Sequence, residues 1–184
     1  MSRPGDPSDE EVMRRVRRGE VSLMEVLFER HHRKLFRFCW RMTGSQAASE
    51  DLVQEVYLRM LRHRETFSET SSFTAWMYSI ARNAHADSWR KYGRETPLDG
   101  AGAFEAAGGE PLEDRQEKEL LHRALLELPP EKREVLVMSR FQEMSHAEIA
   151  AVLGCDEGAS RARLHRALQS LKQIYLGSLR GRTS

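Results

Sequence analysis

Between Met144 and Leu168 the chain reads MSHAEIAAVLGCDEGASRARLHRAL, and few folds accommodate that stretch. Ser145 and Glu148 have the S-x-x-E spacing of a capping box, in which each satisfies a free amide at a helix start. The spacing predicts a short helix to Leu153 that buries Ile149, Ala150 and Leu153. Gly154 suits a helix stop needing positive φ, and Asp156 suits the N-cap of a second helix. Two helices joined this closely form a helix-turn-helix, whose second helix can enter the DNA major groove. At about 100° per residue, Leu164, Ala167, Leu168, Leu171 and Tyr175 share the buried side of that second helix. The opposite side carries Gly158, Ala162, His165, Arg166 and Gln169, flanked by Arg161 and Arg163. Arg161, Arg163, His165 and Arg166 are therefore the candidate DNA contacts, since arginine can grip guanine bidentately or neutralise phosphate. A merely solvated basic face would leave the turn signals unexplained.

Charge distribution supports a localised nucleic-acid footprint. Net charge is only +1, but acidic residues crowd Glu95–Glu119 while Arg161–Arg182 is strongly basic. With 184 residues the chain can form one domain or two small ones. Strong helical periodicity and few β-branched runs predict an all-α fold. Cys39 and Cys155 lie far apart and build neither a disulfide framework nor a C-x-x-C zinc site. A reducing, cytoplasmic setting is expected, with no metal, no cofactor and no small-molecule substrate. MSRPGDPSDEEV lacks a secretory apolar stretch. No apolar run approaches the roughly 20 residues that span a bilayer, so no membrane insertion is expected.

Four segments are predicted. Residues 1–20 form a tail and a short helix, with Met1–Pro7 disordered and a second capping box at Ser8 and Glu11. Residues 21–92 form a helical domain. Its first helix, Val21–Met42, carries Leu23, Leu27, Leu35, Phe38 and Met42 on one face, with His31 at the core boundary. Its second, Gln46–Arg64, buries Leu52, Val53, Val56 and Met60. The other face of that helix shows Asp51, Gln54, Glu55, Leu58 and Arg62, where Leu58 is an apolar residue on a wet surface. After the loop SETSS, a third helix, Phe73–Tyr92, turns Trp76, Ile80 and Ala84 inward. It also offers Tyr78, Arg82, Asn83, Trp89, Arg90 and Lys91, rings and cations suited to unstacked bases and phosphates. Residues 93–111 read as a flexible acidic linker. Residues 112–184 form a second domain, with helices at Leu112–Leu128 and Glu131–Phe141 ahead of the helix-turn-helix. Val135, Leu136, Met138 and Phe141 should face that motif.

In this order, LFERHHRKLFRFCWRMTG, EDLVQEVYLRML, SFTAWMYSIARNAHADSWR, ALLELPPEKREVLVMSRF, MSHAEIAAVLG and EGASRARLHRAL resemble the bacterial RNA polymerase sigma factors of the extracytoplasmic-function group. The resemblance spans about Leu23 to Leu171. It implies a promoter-specificity subunit rather than an enzyme, with core RNA polymerase, promoter DNA and an anti-sigma factor as partners. By the same resemblance, Asp51, Gln54, Glu55 and Leu58 contact the polymerase clamp. Phe73, Arg82, Asn83, Arg90 and Lys91 meet the opened upstream strand, with Asn83 at a base edge. Arg161, Arg163, His165 and Arg166 read the minus-35 element, and the helices before them face the polymerase flap. The acidic linker would run near the RNA exit path, its charge imitating nucleic acid.

The chain departs from the family at Ser160, where most members carry a β-branched apolar residue, and at His146, often tyrosine. Ser160 falls on the buried side, where an unpartnered hydroxyl costs about 1–3 kcal/mol. A carbonyl one turn back is one available partner, and His146 could touch phosphate. Two other functions compete. An ordinary helix-turn-helix regulator explains the second domain but not EDLVQEV joined to SFTAWMYSIARNAHADSWR. A di-metal helical enzyme would use the E-x-x-H spacings Glu119/His122 and Glu143/His146, but the second pair straddles a turn.

Overall fold

The computed structural model describes residues 6–68, 70–92 and 112–180. The linker expected at 93–111 and the first five residues of the expected disordered tail lie outside them. All the regular structure among these residues is helical: α1 (Asp9–Arg17), α2 (Met24–Thr43), α3 (Gln46–Arg62), α4 (Phe73–Tyr92), α5 (Leu112–Glu127), α6 (Pro130–Arg140), α7 (His146–Leu153) and α8 (Glu157–Arg180).

Local chemistry sets most boundaries. Ser8 and Glu11 close the capping box that starts α1. Pro7, expected to be disordered, is held instead, because its carbonyl accepts from Arg30 at 2.9 Å. Gly19 (φ 108°) turns the chain into a 3-10 turn over Val21–Leu23, so α2 begins at Met24 rather than Val21. Gly44 (φ 73°) ends α2, and the Ser45 hydroxyl caps α3. α3 stops at Arg62, short of the expected Arg64, where Arg64–Thr66 tightens into a second 3-10 turn. Pro130 occupies the first turn of α6, where its missing amide costs nothing.

The first half packs α1–α4 around Leu27, Leu35, Phe38, Val56, Met60, Phe67 and Phe73, all fully buried. The second half packs α5–α8 around Leu125, Leu128, Leu136, Val137, Ile149 and Ala167. Two expected inner faces are corrected. Ala84 faces inward as expected, but Trp76 and Ile80 are only half-buried, and Met77, Tyr78, Ala81 and His85 fill the core in their place. In α7, Val152 is buried and Leu153 only partly so.

The two halves pack against each other rather than standing apart. Arg133 of α6 is 5% exposed and reaches across to donate to the Met42 carbonyl at the end of α2. Its other amino group donates to the Leu126 and Leu128 carbonyls, the latter at 3.0 Å. Around it, Trp40 stacks on His122 with centroids 5.5 Å apart, and Arg41 lies over the Phe141 ring at 4.1 Å. Tyr78 donates to Gln142 at 2.6 Å, and Arg82 donates to Glu134 at 2.8 Å.

Two imidazoles are caught in this contact. Burial, and then the Arg133 charge, push His85 down to about 4 against the pull of the Met42 backbone. Burial, then Arg41 and Arg133, push His122 down to about 4, with Glu119 opposing. Both stay neutral in the folded chain near pH 5 while the unfolded chain, titrating near 6.5, takes up protons. Stability conferred by their neutral burial is therefore full above about pH 6.5 and lost as pH falls toward 4. Urea midpoints measured from pH 7.5 to 5 should decline, and replacing His122 by Phe should flatten that decline.

Candidate nucleic-acid interface

The helix-turn-helix forms as its punctuation dictates. Ser145 and Glu148 cap α7, Gly154 (φ 61°) ends it, and Asp156 Oδ1 accepts from the Ala159 amide at 2.8 Å to start α8. Arg161, Arg163, His165 and Arg166 are all exposed on α8. Arg161 pairs with Glu157 one turn back at 2.7 Å, and His165 meets Gln169 at 2.9 Å. Arg163 lies toward α6, where its charge acts on the buried carboxylate of Glu134.

Ser160 is fully buried, and its hydroxyl meets His146 Nδ1 at 3.2 Å rather than a carbonyl of its own helix. The two departures from the family pattern thus satisfy each other across the turn. His146 Nδ1 is thereby directed at α8. Neither E-x-x-H pair assembles: Glu119 bonds Arg123, His122 stacks on Trp40, and His146 is engaged by Ser160.

On α3, Asp51, Gln54 and Leu58 are exposed along one face, and Leu58 keeps 48% of its surface in solvent. Glu55 is half-buried and accepts from Arg59 Nε at 2.6 Å, which holds its carboxyl below the ordinary value. Phe28 of α2, 44% exposed, stacks on His32 and abuts Tyr57 of α3. The sequence reading missed Phe28. The signal was an aromatic one position off the Leu27–Leu35 face.

α4 places its expected contacts unequally. Asn83 is exposed, and its amide makes no hydrogen bond to the described residues. Arg90 and Lys91 are exposed, with Arg90 paired to Asp87, which also accepts from Arg59 at 2.6 Å. Phe73 is fully buried and anchors the start of α4, so its ring offers no surface to a base. Arg82 is engaged by Glu134, and Tyr78 is 2% exposed and not a stacking platform. Burial raises the Glu134 carboxyl, while the Arg82 charge and hydrogen bond oppose that rise. Beside Asn83 lies a cavity of about 300 Å³, lined among others by His63, Thr66, Trp76 and Ile80. Trp76 Nε1 donates to Thr66 Oγ1 at 3.2 Å, which fixes the ring as a flat apolar wall. Trp76 and Ile80 are half-buried because they line this space.

Comparison with known proteins bears on both halves. Sigma-70 region 2 matches residues 27–95, and sigma-70 region 4 matches residues 118–171. The ECF RNA polymerase sigma factor SigL of Mycobacterium tuberculosis is 33% identical over 83% of this chain and 89% of its own length. The RNA polymerase sigma factor CarQ of Myxococcus xanthus is 33% identical over 91% of this chain and 97% of its own. Among solved structures, CnrH in complex with the cytosolic domain of CnrY shares the fold at a TM-score of 0.70 and 23% identity, covering 90% of this chain and 96% of that one. The sigma factor RpoE of Bartonella quintana, in complex with the anti-sigma factor NepR, aligns at a TM-score of 0.60 and 26% identity, covering 76% and 88%.

The Ser160–His146 bond is open to a direct check. Ser160→Ala should cost about 1 kcal/mol in urea unfolding. In a double-mutant cycle with His146→Ala the two losses should fall short of additivity by about 0.5 kcal/mol or more.

Proposed function

The chain belongs to the extracytoplasmic-function group of the sigma-70 family of RNA polymerase sigma factors, and we propose how its surfaces divide that work. Residues 21–92 hold core polymerase and the opened minus-10 strand, and residues 112–184 read the minus-35 duplex, with 93–111 joining them. The α3 face of Asp51, Gln54, Glu55 and Leu58 meets polymerase, and Phe28 adds to it. Asn83 reads a base edge, while Arg90 and Lys91 serve phosphates. Arg161, Arg163, His165 and Arg166 enter the major groove. The factor acts by binding and without covalent chemistry, in the cytoplasm beside the polymerase. The relative RpoE was solved with an anti-sigma factor; by that likeness, a protein of this kind restrains the present chain.

One observation carries the reading: Asn83, whose amide makes no hydrogen bond to the described residues, lines a cavity walled by an aromatic ring. An unstacked base inserted there recovers stacking and edge hydrogen bonds, offsetting an unstacking cost of a few kcal/mol. Each half alone neutralises few phosphates and binds weakly. Joined on polymerase, each raises the effective concentration of the other, so both elements are recognised together. A stand-alone helix-turn-helix regulator has no use for the α3 face or for this cavity.

The closed arrangement cannot do this work as it stands. The two elements lie about 25 nucleotides apart, roughly 85 Å along duplex DNA at 3.4 Å per step. Here Ser72, at the entry to α4, touches Glu148 of α7 at 3.4 Å. The halves therefore separate when polymerase and promoter are engaged. Separation breaks the Arg82–Glu134 pair and frees Arg82 for phosphate.

Run-off transcription with core polymerase on a promoter library should show initiation redirected by this chain to one bipartite sequence; an unchanged start-site pattern would refute the reading. Leu58→Ala should weaken polymerase binding about tenfold while leaving binding of duplex minus-35 DNA intact. A donor on α4 and an acceptor on α8 should transfer energy efficiently in the free chain and lose it on adding polymerase and promoter.

A further inference from the structure

Helix α1 lies ahead of the segment matched to region 2, which begins at residue 27. It nevertheless grips both ends of the segment that leads into α4. At one end, Arg17 Nη1 donates to the Phe67 carbonyl at 3.1 Å, with Arg17 Nε 3.6 Å from Glu65. At the other end, the Phe73 amide donates to Glu10 Oε1 at 3.0 Å. Phe73 opens α4, so Glu10 satisfies one of its orphan amides with a charge that suits the helix dipole. Both phenylalanine rings are fully buried, while Ser68 and Thr70 between them are exposed.

The grip is rigid at its base. Val12, Met13 and Val16 bury α1 against the core. Asp9 accepts from Arg30 at 2.9 Å and meets His31 at 2.7 Å. Burial works against its ionised carboxyl, but those bonds outweigh burial and hold it below the ordinary value. The grip also reaches the cavity. Phe67 packs edge-on against Trp76 with centroids 5.3 Å apart, and Thr66 beside it fixes the indole nitrogen. Moving the Phe67 backbone therefore moves the cavity wall.

We propose that Glu10 and Arg17 are positioning residues for promoter-strand capture. They fix where Phe67 and Phe73 sit, and through Phe67 the position of the Trp76 wall that shapes the cavity for one base. This rests on the strand-capture reading above. Neither residue lines the cavity; each acts through Phe67 or Phe73, and Phe67 packs on the Trp76 wall.

The test uses the full chain with core polymerase and templates varying one base at a time in each element. Its readout is the ratio of run-off product between preferred and disfavoured bases, which does not depend on the active fraction. Glu10→Ala and Arg17→Ala should each reduce that ratio about tenfold at the minus-10 element and leave it unchanged at minus-35. Glu10→Gln keeps an oxygen acceptor for the Phe73 amide and should retain the wild-type ratio. An equal loss of product on every template, with the ratio preserved, means α1 serves stability alone and overturns the proposal. Should Glu10→Ala fail to fold, Arg17→Met, which keeps the aliphatic stem without the donor, decides by the same ratio. Asn83→Ala separates the two levels. If it leaves minus-10 selectivity intact, strand capture at the cavity is wrong and the proposal falls with it. If it erases selectivity while the α1 variants do not, only the role of α1 is wrong.

Discussion

A single guanidinium holds the closed arrangement together. Helix ends leave carbonyls without partners, and their negative partial charge favours a cation. Arg133 answers that need at two helix ends simultaneously: Met42 from one half of the chain, Leu126 and Leu128 from the other. Burial lowers its affinity for the proton to about 10, which still leaves it charged at neutral pH. A cation this deep is tolerated only where oxygens surround it, because desolvation costs several kcal/mol. That requirement fixes register: α6 can approach α2 only where its arginine meets the carbonyl end of α2. Trp40 on His122 and Arg41 over Phe141 then complete a contact whose position the charge has chosen.

One residue further along α6, Glu134 acts in the opposite sense. It is 7% exposed and draws Arg82 from α4, while the Arg163 charge on α8 also bears on it. A buried carboxylate in that place holds the Arg82 guanidinium at the contact between the halves. Contact between the halves thus ties up the Arg82 charge.

What the sequence made legible was local. The caps at Ser8, Ser145 and Asp156 and the stops at Gly44 and Gly154 sit within four residues of the groups they satisfy. The exposed face of α3 followed from the helical period, since that helix buries one side only. α4 was harder, because α3 packs on it from one half and α7 from the other, so one stripe does not describe its interior. Met77, Tyr78 and His85 were missed for that reason, and Trp76 was placed too deep. Contacts made over long separations left no trace in spacing. Arg17 meets Phe67 fifty residues on, and Glu10 meets Phe73 sixty-three residues on. Ser160 was identified as a buried hydroxyl in need of a partner, but that partner sat across the turn.

That hydroxyl also limits how freely α8 can be exchanged. In a helix-turn-helix tied by apolar packing alone, the second helix is a detachable module, and a scaffold of similar volume receives it. Here α8 carries a polar plug whose socket belongs to α7. Grafting α8 onto a relative with tyrosine at the socket would bury an oxygen without its nitrogen, and the borrowed helix would sit tilted on its new partner. The transferable unit in this chain is the pair of helices, cut before Ser145.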